Sequence, residues 1–107
     1  MIYNNNIISI AKFMGIEPIK GINEQTGNEY YYYNNAVMED YEALPTYSNW
    51  CDLMPVVEKI NKEDEVIIKP YECLIVGSDF DTIIETEAEL IDMIFNSVVK
   101  YIKLKNN

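Results

Sequence analysis

Residues 48–60 read SNWCDLMPVVEKI, and the fold of this chain is decided there. The apolar side chains recur with the i, i+3, i+4, i+7 spacing that places them on one buried face of a helix. This stripe, which Val56 widens, consists of Trp50, Leu53, Met54, Val57 and Ile60. Ser48 or Asn49 can cap the helix. Because a proline inside a helix removes one hydrogen bond and clashes with the preceding turn, we expect either a kink at Pro55 or a regular helix that begins there.

The composition predicts a single domain over residues 1–107. A chain of 107 residues, of which 49% are hydrophobic, has the length and the apolar content for one core. Its 18 acidic residues stand against 8 basic ones, all lysine, so the net charge is -10. A chain with this charge and without arginine repels nucleic acid and other anions, so we do not expect direct nucleic-acid binding.

The N-terminal sequence MIYNNNIISIAKFMG differs from a secretory signal. It lacks a basic start, and Lys12 interrupts its apolar run. No segment of the chain approaches the length of a membrane span. Two cysteines, Cys51 and Cys73, are too few for a disulfide framework in a domain of this size, so we expect two buried thiols. These features predict a soluble protein of a reducing cytoplasm.

The first half of the chain predicts a helix followed by a hairpin. The helical stripe consists of Ile7, Ile10, Ala11 and Met14. Gly15 is a natural residue to end this helix. Residues 19–22 and 29–33 are predicted to be two strands, joined by a turn at residues 23–28. Residues 34–47 are expected to be irregular.

The second half predicts three short strands and a C-terminal helix. The strands are expected at residues 66–69, 71–76 and 80–84. Thr86 and Glu89 match a capping box for the helix that follows. The apolar stripe of this helix consists of Leu90, Ile91, Ile94, Phe95, Val98 and Ile102, with Val99 and Tyr101 beside it. This order of elements predicts an α+β fold, in which two to three helices pack on a small antiparallel sheet.

Four consecutive tyrosines, residues 30–33, occupy the second predicted strand. Alternation places Tyr30 and Tyr32 on one face of the strand and Tyr31 and Tyr33 on the other. In one interpretation, one pair packs on the core and the other covers the edge of the sheet. In the other, tyrosines form an exposed contact surface, because this residue is favoured at protein interfaces. The candidates for that surface are Tyr31 and Tyr33.

The residue types argue against catalysis and against a metal centre. Because histidine is absent, Cys51 and Cys73 lack the usual activating base, and two cysteines do not complete a zinc site. The sequence contains neither a P-loop nor a dinucleotide-binding glycine motif. Asp79, Asp81 and Glu85 could hold a hard cation, but a solvated turn is the simpler interpretation. We therefore expect no catalytic residue, no metal and no cofactor.

Acidic residues are concentrated in stretches that contain no lysine. The stretch between Lys69 and Lys100 carries Glu72, Asp79, Asp81, Glu85, Glu87, Glu89 and Asp92. Such a surface either maintains solubility or imitates the phosphates of nucleic acid and docks on a basic groove of a partner. For the second interpretation, the candidate contact residues are Asp79, Asp81, Glu85, Glu87 and Glu89.

The run Trp50-x-x-Leu53-Met54-Pro55-Val56-Val57-Glu58-Lys59-Ile60 resembles a motif in short uncharacterised proteins of Bacteroidetes phages and prophages. Those proteins similarly open with a helix that ends like residues 10–15, IAKFMG, and close with a helix like residues 98–102, VVKYI. The resemblance implies a small phage-type accessory protein. It implies no particular activity and no functional residue.

Small size, acidity and the phage-type resemblance favour a protein that acts by binding. The leading hypothesis is an inhibitor of a host nucleic-acid-handling or defence complex, acting in the host cytoplasm like an anti-CRISPR protein on an RNA-guided nuclease. Its partner would be a basic host protein or a nucleoprotein complex. One alternative is a small-molecule-sequestering protein or small enzyme with a pocket between sheet and helices. Another is a structural accessory domain.

Overall fold

The computed structural model describes residues 5–35, 39–86 and 89–106. Within these residues, three helices and two three-stranded antiparallel sheets alternate along the chain. This arrangement confirms the predicted α+β class, although the strands form two small sheets where one was expected. Backbone contacts group the chain into two units, residues 1–46 and 47–107. That one domain spans residues 1–107 stays a prediction.

The first unit begins with helix α1, Asn5–Phe13. Its buried residues are those of the predicted stripe, Ile7, Ile10 and Ala11, whereas Met14 is only half-buried. The helix ends where the sequence predicts, because Gly15 adopts a φ of 78° that side chains disfavour. The backbone N–H of Ile16 donates to the carbonyl of Ala11 (2.9 Å), and that of Gly15 donates to Lys12 (3.0 Å). These two bonds satisfy carbonyls at the end of the helix.

Three strands follow α1 and form the first sheet in the order β1-β2-β3. They are β1 (Ile19–Ile22), β2 (Glu29–Asn35) and β3 (Asp40–Ala43). In the turn between β1 and β2, the side chain of Asn23 accepts the N–H of Gln25 (2.9 Å), and Gly27 has a φ of 73°. The predicted hairpin is therefore confirmed, with β2 two residues longer than expected.

Strand β3 contradicts the prediction that residues 34–47 are irregular. Asp40, Tyr41, Glu42 and Ala43 pair in antiparallel register with residues 32–35 of β2. All four residues of β3 are exposed, so the segment shows none of the alternation between buried and exposed positions that marks a strand in sequence. Its extended conformation instead comes from ladder hydrogen bonds to β2, which depend on the neighbour and not on local sequence.

The second unit begins with helix α2, Trp50–Asn61, which contains Pro55 in its interior. The predicted cap is Asn49, whose side chain accepts the backbone N–H of Asp52 (3.0 Å). Because the helix already starts at Trp50, the alternative of a helix that begins at Pro55 is wrong. The buried residues are Leu53, Val56, Val57 and Ile60.

Two residues of the predicted stripe, Trp50 and Met54, are 38% and 39% exposed, so their assignment to the buried face is wrong. At 3.6 residues per turn, Met54 lies about 110° from the centre of the buried arc, and Trp50 about 70°. Val56, which appeared only to widen the stripe, lies inside that arc. The buried face of the helix is therefore rotated by about 45° from the centre of the predicted stripe, towards Val56.

The strands β4 (Glu65–Lys69), β5 (Glu72–Val76) and β6 (Ile83–Glu85) form the second sheet in that order. All three predicted strands are present, but the third begins at Ile83 and not at Phe80. The ring of Phe80 lies against Gly77 and in edge contact with Tyr101, at 5.8 Å between ring centroids. Phe80 therefore anchors the turn before β6 instead of joining the strand.

Helix α3, Leu90–Lys105, contacts β5, β6 and α2. Its buried residues are Met93, Ile94, Ser97, Val98, Val99, Tyr101 and Ile102. Buried Ser97 donates its hydroxyl to the carbonyl of Met93 (2.9 Å), which offsets the cost of burying a polar group. Of the predicted stripe, Leu90, Ile91 and Phe95 are only half-buried.

The predicted capping box of α3 is wrong. A capping box needs Thr86 as the N-cap and Glu89 as the third helical residue. The first helical bond runs from the N–H of Met93 to the carbonyl of Glu89 (3.1 Å), so Glu89 itself is the N-cap, and its side chain makes no capping bond. The carboxylate of Glu89 still lies at the positive end of the helix dipole.

Candidate binding surfaces

The first sheet presents three tyrosine rings on one of its faces, which we call the tyrosine face. The rings of Tyr30 and Tyr32 lie 5.8 Å apart between centroids, and Tyr32 meets Tyr41 edge-on at 5.7 Å. Tyr41 shares this face because it pairs with Asn34, two residues after Tyr32 on β2. Tyr30 is 45% exposed and Tyr41 is 61% exposed. The sheet therefore holds a row of aromatic rings in contact with one another and with solvent.

The ring of Tyr30 rests on Gly21, its partner on β1. A glycine at this position leaves the room above β1 that the ring occupies. The contacts among the rings, together with the contact between Tyr30 and Gly21, restrict the tyrosine side chains before any partner binds. Aromatic side chains held in this way lose little conformational freedom on binding.

The opposite face of the same sheet carries Tyr31 and Tyr33, the two tyrosines that the sequence singled out. Both are half-buried. The hydroxyl of Tyr33 donates to Glu42 (3.0 Å), which also accepts the side-chain amide of Asn35 (3.2 Å). Burial raises the pKa of Tyr33, and the hydrogen bond to Glu42 raises it further. These contacts engage Tyr33 within the sheet, whereas the more exposed rings belong to the tyrosine face.

Sequence reasoning missed Tyr41 because it lies in the segment that was expected to be irregular. The alternation of side chains along β2 correctly places Tyr30 and Tyr32 on one face and Tyr31 and Tyr33 on the other. It does not show which side chains of a third strand lie on the same face. Only the register between β2 and β3 places Tyr41 beside Tyr32. A local signal was present in the polar and aromatic sequence DYEA, yet such a segment is equally typical of a loop.

The predicted acidic site divides into paired and unpaired carboxylates. Asp79 is paired with Lys105 of α3, at 3.1 Å between Oδ2 and Nζ, and Glu85 is paired with Lys100. Asp81 and Glu89 are exposed, and neither forms an ion pair in the part of the chain that the structure describes. Glu87 lies outside the described residues.

Helix α3 therefore places lysines next to acidic residues of the stretch between Lys69 and Lys100, which itself contains no lysine. The hydrogen bond from Lys105 lowers the pKa of Asp79, and the same bond raises the pKa of Lys105. Two of the five predicted acidic contact residues are thus partly neutralised within the protein. This reduces the field that residues 79–89 could present to a basic partner.

The pair of Asp79 and Lys105 makes a testable pH prediction. We expect the pKa of the Asp79 carboxyl to lie below its ordinary 3.8, so the pair stabilises the fold above that value and ceases to do so as the pH falls through the lower, folded-state pKa. A carboxyl NMR titration measures this directly. Lys105→Gln should return the pKa towards 3.8, whereas Lys103→Gln should not change it. An unchanged Asp79 pKa in Lys105→Gln would show that the pair does not form in solution.

Lys105 also belongs to a cluster that links α3 to the turn before β4 and to the turn after β5. Its Nζ lies 3.4 Å from Asp64, and 5.4 and 5.6 Å from the ring centroids of Phe80 and Tyr101. The hydroxyl of Tyr101 donates to Asp64 at 2.7 Å. Burial raises the pKa of Tyr101, and the bond to Asp64 adds to the rise. The hydroxyl of Tyr101 therefore serves as a hydrogen-bond donor to the largely buried carboxylate of Asp64.

The two cysteines differ in their surroundings. Both are free thiols, with Cys51 exposed at the start of α2, so the prediction that both are buried is wrong for Cys51. Cys73 faces α3 and is buried, and burial raises the pKa of its thiol despite a hydrogen bond with Ser97. Among residues 5–35, 39–86 and 89–106, no group of three or more acidic or cysteine side chains is placed to hold a metal ion.

Among the described residues, an open cleft of moderate size lies in each unit. In the first unit, a cleft of about 420 Å³ lies beside Gly15 and the end of β2, lined by Ile16, Glu17, Ile19, Tyr33, Asn34 and Asn35. In the second unit, a cleft of about 490 Å³ lies between β6 and the last turns of α3. We call it the edge cleft, and it is lined by Thr82, Ile83, Ile84, Lys100, Lys103 and Leu104.

None of the helices described is long and apolar enough to cross a membrane. No protein-family model, curated protein or solved structure matches this chain.

Proposed function

We propose that this chain is a non-enzymatic acidic binding protein that contacts a basic partner through the tyrosine face. The observation that carries the proposal is the row formed by Tyr30, Tyr32 and Tyr41, whose rings contact one another while two of them stay substantially exposed. An exposed aromatic cluster on a sheet is typical of a protein–protein interface, because tyrosine combines a large apolar ring with a hydroxyl that can hydrogen-bond.

Exposed acidic residues lie on the strand that carries Tyr41. They are Glu39, which precedes strand β3, and Asp40 and Glu42, which flank Tyr41 and therefore point to the opposite face of the sheet. The first unit as a whole has six acids and two lysines, and therefore a net charge of -4. An aromatic surface on a unit of net negative charge favours a basic partner, since long-range attraction speeds association while the rings supply most of the affinity.

The partner that fits this surface is a basic host protein or a nucleoprotein complex, met in the host cytoplasm. An RNA-guided nuclease has the basic grooves that such a surface would occupy, which is the role of an anti-CRISPR-like phage inhibitor. The net charge of -10 and the absence of arginine argue against direct contact with nucleic acid. The phage-type resemblance of residues 50–60 supports this biological setting. A small-molecule-sequestering protein or small enzyme, and a structural accessory domain, remain the alternatives.

Affinity capture from the host, with and without nuclease treatment, identifies the partner, and variants then test the surface. We expect the double variant Tyr30→Ala, Tyr41→Ala to weaken binding about 10- to 100-fold, as loss of exposed aromatic anchors does. Tyr71→Ala is the matched control, because Tyr71 is 75% exposed but lies in the second unit. It should bind normally.

A second pair of variants separates the two acidic surfaces. Glu39→Gln with Asp40→Asn should slow association and flatten its salt dependence, because screening acts on exposed charges. Asp81→Asn with Glu89→Gln removes the two acids of residues 79–89 that are unpaired among the described residues. If this second variant abolishes binding while the tyrosine variant binds normally, the interface lies on residues 79–89 and the proposal is wrong.

A further inference from the structure

The edge cleft follows the free edge of β6. Ile83 is buried and pairs with Ile75, whereas Ile84 is 58% exposed and pairs with Leu74, so the two side chains point to opposite faces of the sheet. Both nonetheless line the same cleft. A cleft that reaches side chains from both faces of one strand runs along the edge of that strand.

Within the described residues, β6 pairs with β5 alone, so its other edge is open. Successive strand residues direct their N–H and C=O groups to alternate sides. At least one of the three residues of β6 therefore directs both groups towards the cleft. Unpaired backbone groups on an edge strand can accept a further strand from another chain.

The wall opposite β6 carries positive charge in an otherwise acidic protein. Lys100, Lys103 and Leu104 share one side of α3, because they follow the i, i+3, i+4 spacing. The side chain of Lys100 is 58% exposed although it pairs with Glu85. Lys103 is exposed and makes no ion pair with any of the described residues. The cleft thus combines an apolar edge, open backbone groups and two ammonium groups.

We infer that the edge cleft binds an extended acidic segment of a partner protein, which adds to the second sheet as a strand beside β6. In such a strand, alternate side chains face α3 and meet Lys100 and Lys103, and these are the acidic ones. The intervening side chains lie beside Ile84 on the other face and are apolar. Period-2 alternation of acid and apolar residues is therefore the sequence that this cleft selects.

Two features favour a peptide over a small anion. The cleft is an open groove and not an enclosed cavity, so it would leave much of a small ligand in water. A peptide also satisfies the backbone groups of β6, which a carboxylate on an aliphatic chain does not. This surface lies in residues 47–107, its lysines contrast with the net negative charge of the first unit, and it does not depend on the function proposed above.

A short peptide of alternating glutamate and valine tests the inference on the whole protein. We expect it to shift the amide NMR signals of residues 82–85, with an affinity that falls as salt is added. Lys103→Glu should weaken binding about fivefold, which corresponds to the loss of one exposed ion pair. Lys62→Glu, with the same charge change at the end of α2, should bind like the parent.

Peptide variants test the strand pairing separately from charge. Two further peptides carry N-methyl groups, one on the amides of the glutamates and the other on the amides of the valines. N-methylation removes backbone donors without changing charge. We expect it to abolish binding in the peptide whose methylated amides would face β6. Equal binding of both N-methylated peptides, or of Lys103→Glu and the parent, overturns the inference. The inference is also overturned if the peptide shifts no amide signal. If decanoate then shifts the signals of residues 82–85, the cleft binds small amphiphilic anions instead.

Discussion

Leu53→Ala is expected to lower the free energy of unfolding by about 2–5 kcal/mol, the usual range for truncating a fully buried leucine. Leu53 is 0% exposed and lies at the centre of the buried face of α2, the helix that contacts both α3 and β4. Removing its isobutyl group leaves a cavity where these elements meet, and a close-packed core relaxes only partly around such a void. Urea unfolding followed by circular dichroism measures the change.

Met54→Ala is the matched control, because Met54 is the next residue of the same helix and is 39% exposed. Both changes remove apolar atoms at neighbouring helical positions, but the second opens no internal cavity. We expect it to cost less than about 1 kcal/mol, as partly exposed substitutions usually do. Equal losses in the two variants would contradict the observed orientation of α2.

Tyr101→Phe is expected to cost about 1–3 kcal/mol, although it removes a single oxygen atom. The hydroxyl of Tyr101 donates to Asp64 at 2.7 Å, and the side chain of Asp64 is only 8% exposed. Without this donor, a largely buried carboxylate retains Lys105 at 3.4 Å as its charged partner. The cost arises from the carboxylate that loses its hydrogen bond and not from the ring, which keeps its packing against Phe80.

The same substitution at an exposed tyrosine controls for chemistry. Tyr71→Phe removes a hydroxyl from a side chain that is 75% exposed, and we expect a change within about 0.5 kcal/mol. Thermal unfolding of both variants at neutral pH gives the comparison. If Tyr101→Phe unfolds with the parent, the bond to Asp64 is weak in solution and Lys105 alone satisfies the carboxylate.

The pairing of α3 lysines with distant acids changes how the acidity of this protein is interpreted. Lys105 lies 26 residues after its partner Asp79, and Lys100 lies 15 residues after Glu85. Both carboxylates belong to a stretch of sequence that contains no lysine. Of the five acidic contact residues that the sequence predicts, Asp81 and Glu89 are the two that stay exposed and unpaired among the described residues. This is why the proposed contact with a basic partner rests on the tyrosine face and on the net negative charge of the first unit.

The sequence by itself determined the features that depend on neighbours within a few residues. Gly15 ends α1 because a positive φ suits glycine, and the turn at residues 23–28 follows from Asn23 and Gly27. The cap at Asn49 is equally local, since the bond it forms reaches only to Asp52. The helical periods of α2 and α3 also identified most of the buried side chains, because burial repeats with the turn of the helix.

Only the tertiary structure decided the features that need a partner from elsewhere in the chain. Strand β3 exists because β2 offers it a ladder, and its register brings Tyr41 beside Tyr32. The ion pair between Lys105 and Asp79 depends on where α3 lies over the turn after β5. Trp50, the tryptophan of the central stretch, is 38% exposed, because the elements that pack on α2 decide which side of this helix is buried. Periodicity alone makes neighbouring sides of α2 nearly equally suitable for burial. Packing against the rest of the unit determines that the side with Val56 is buried.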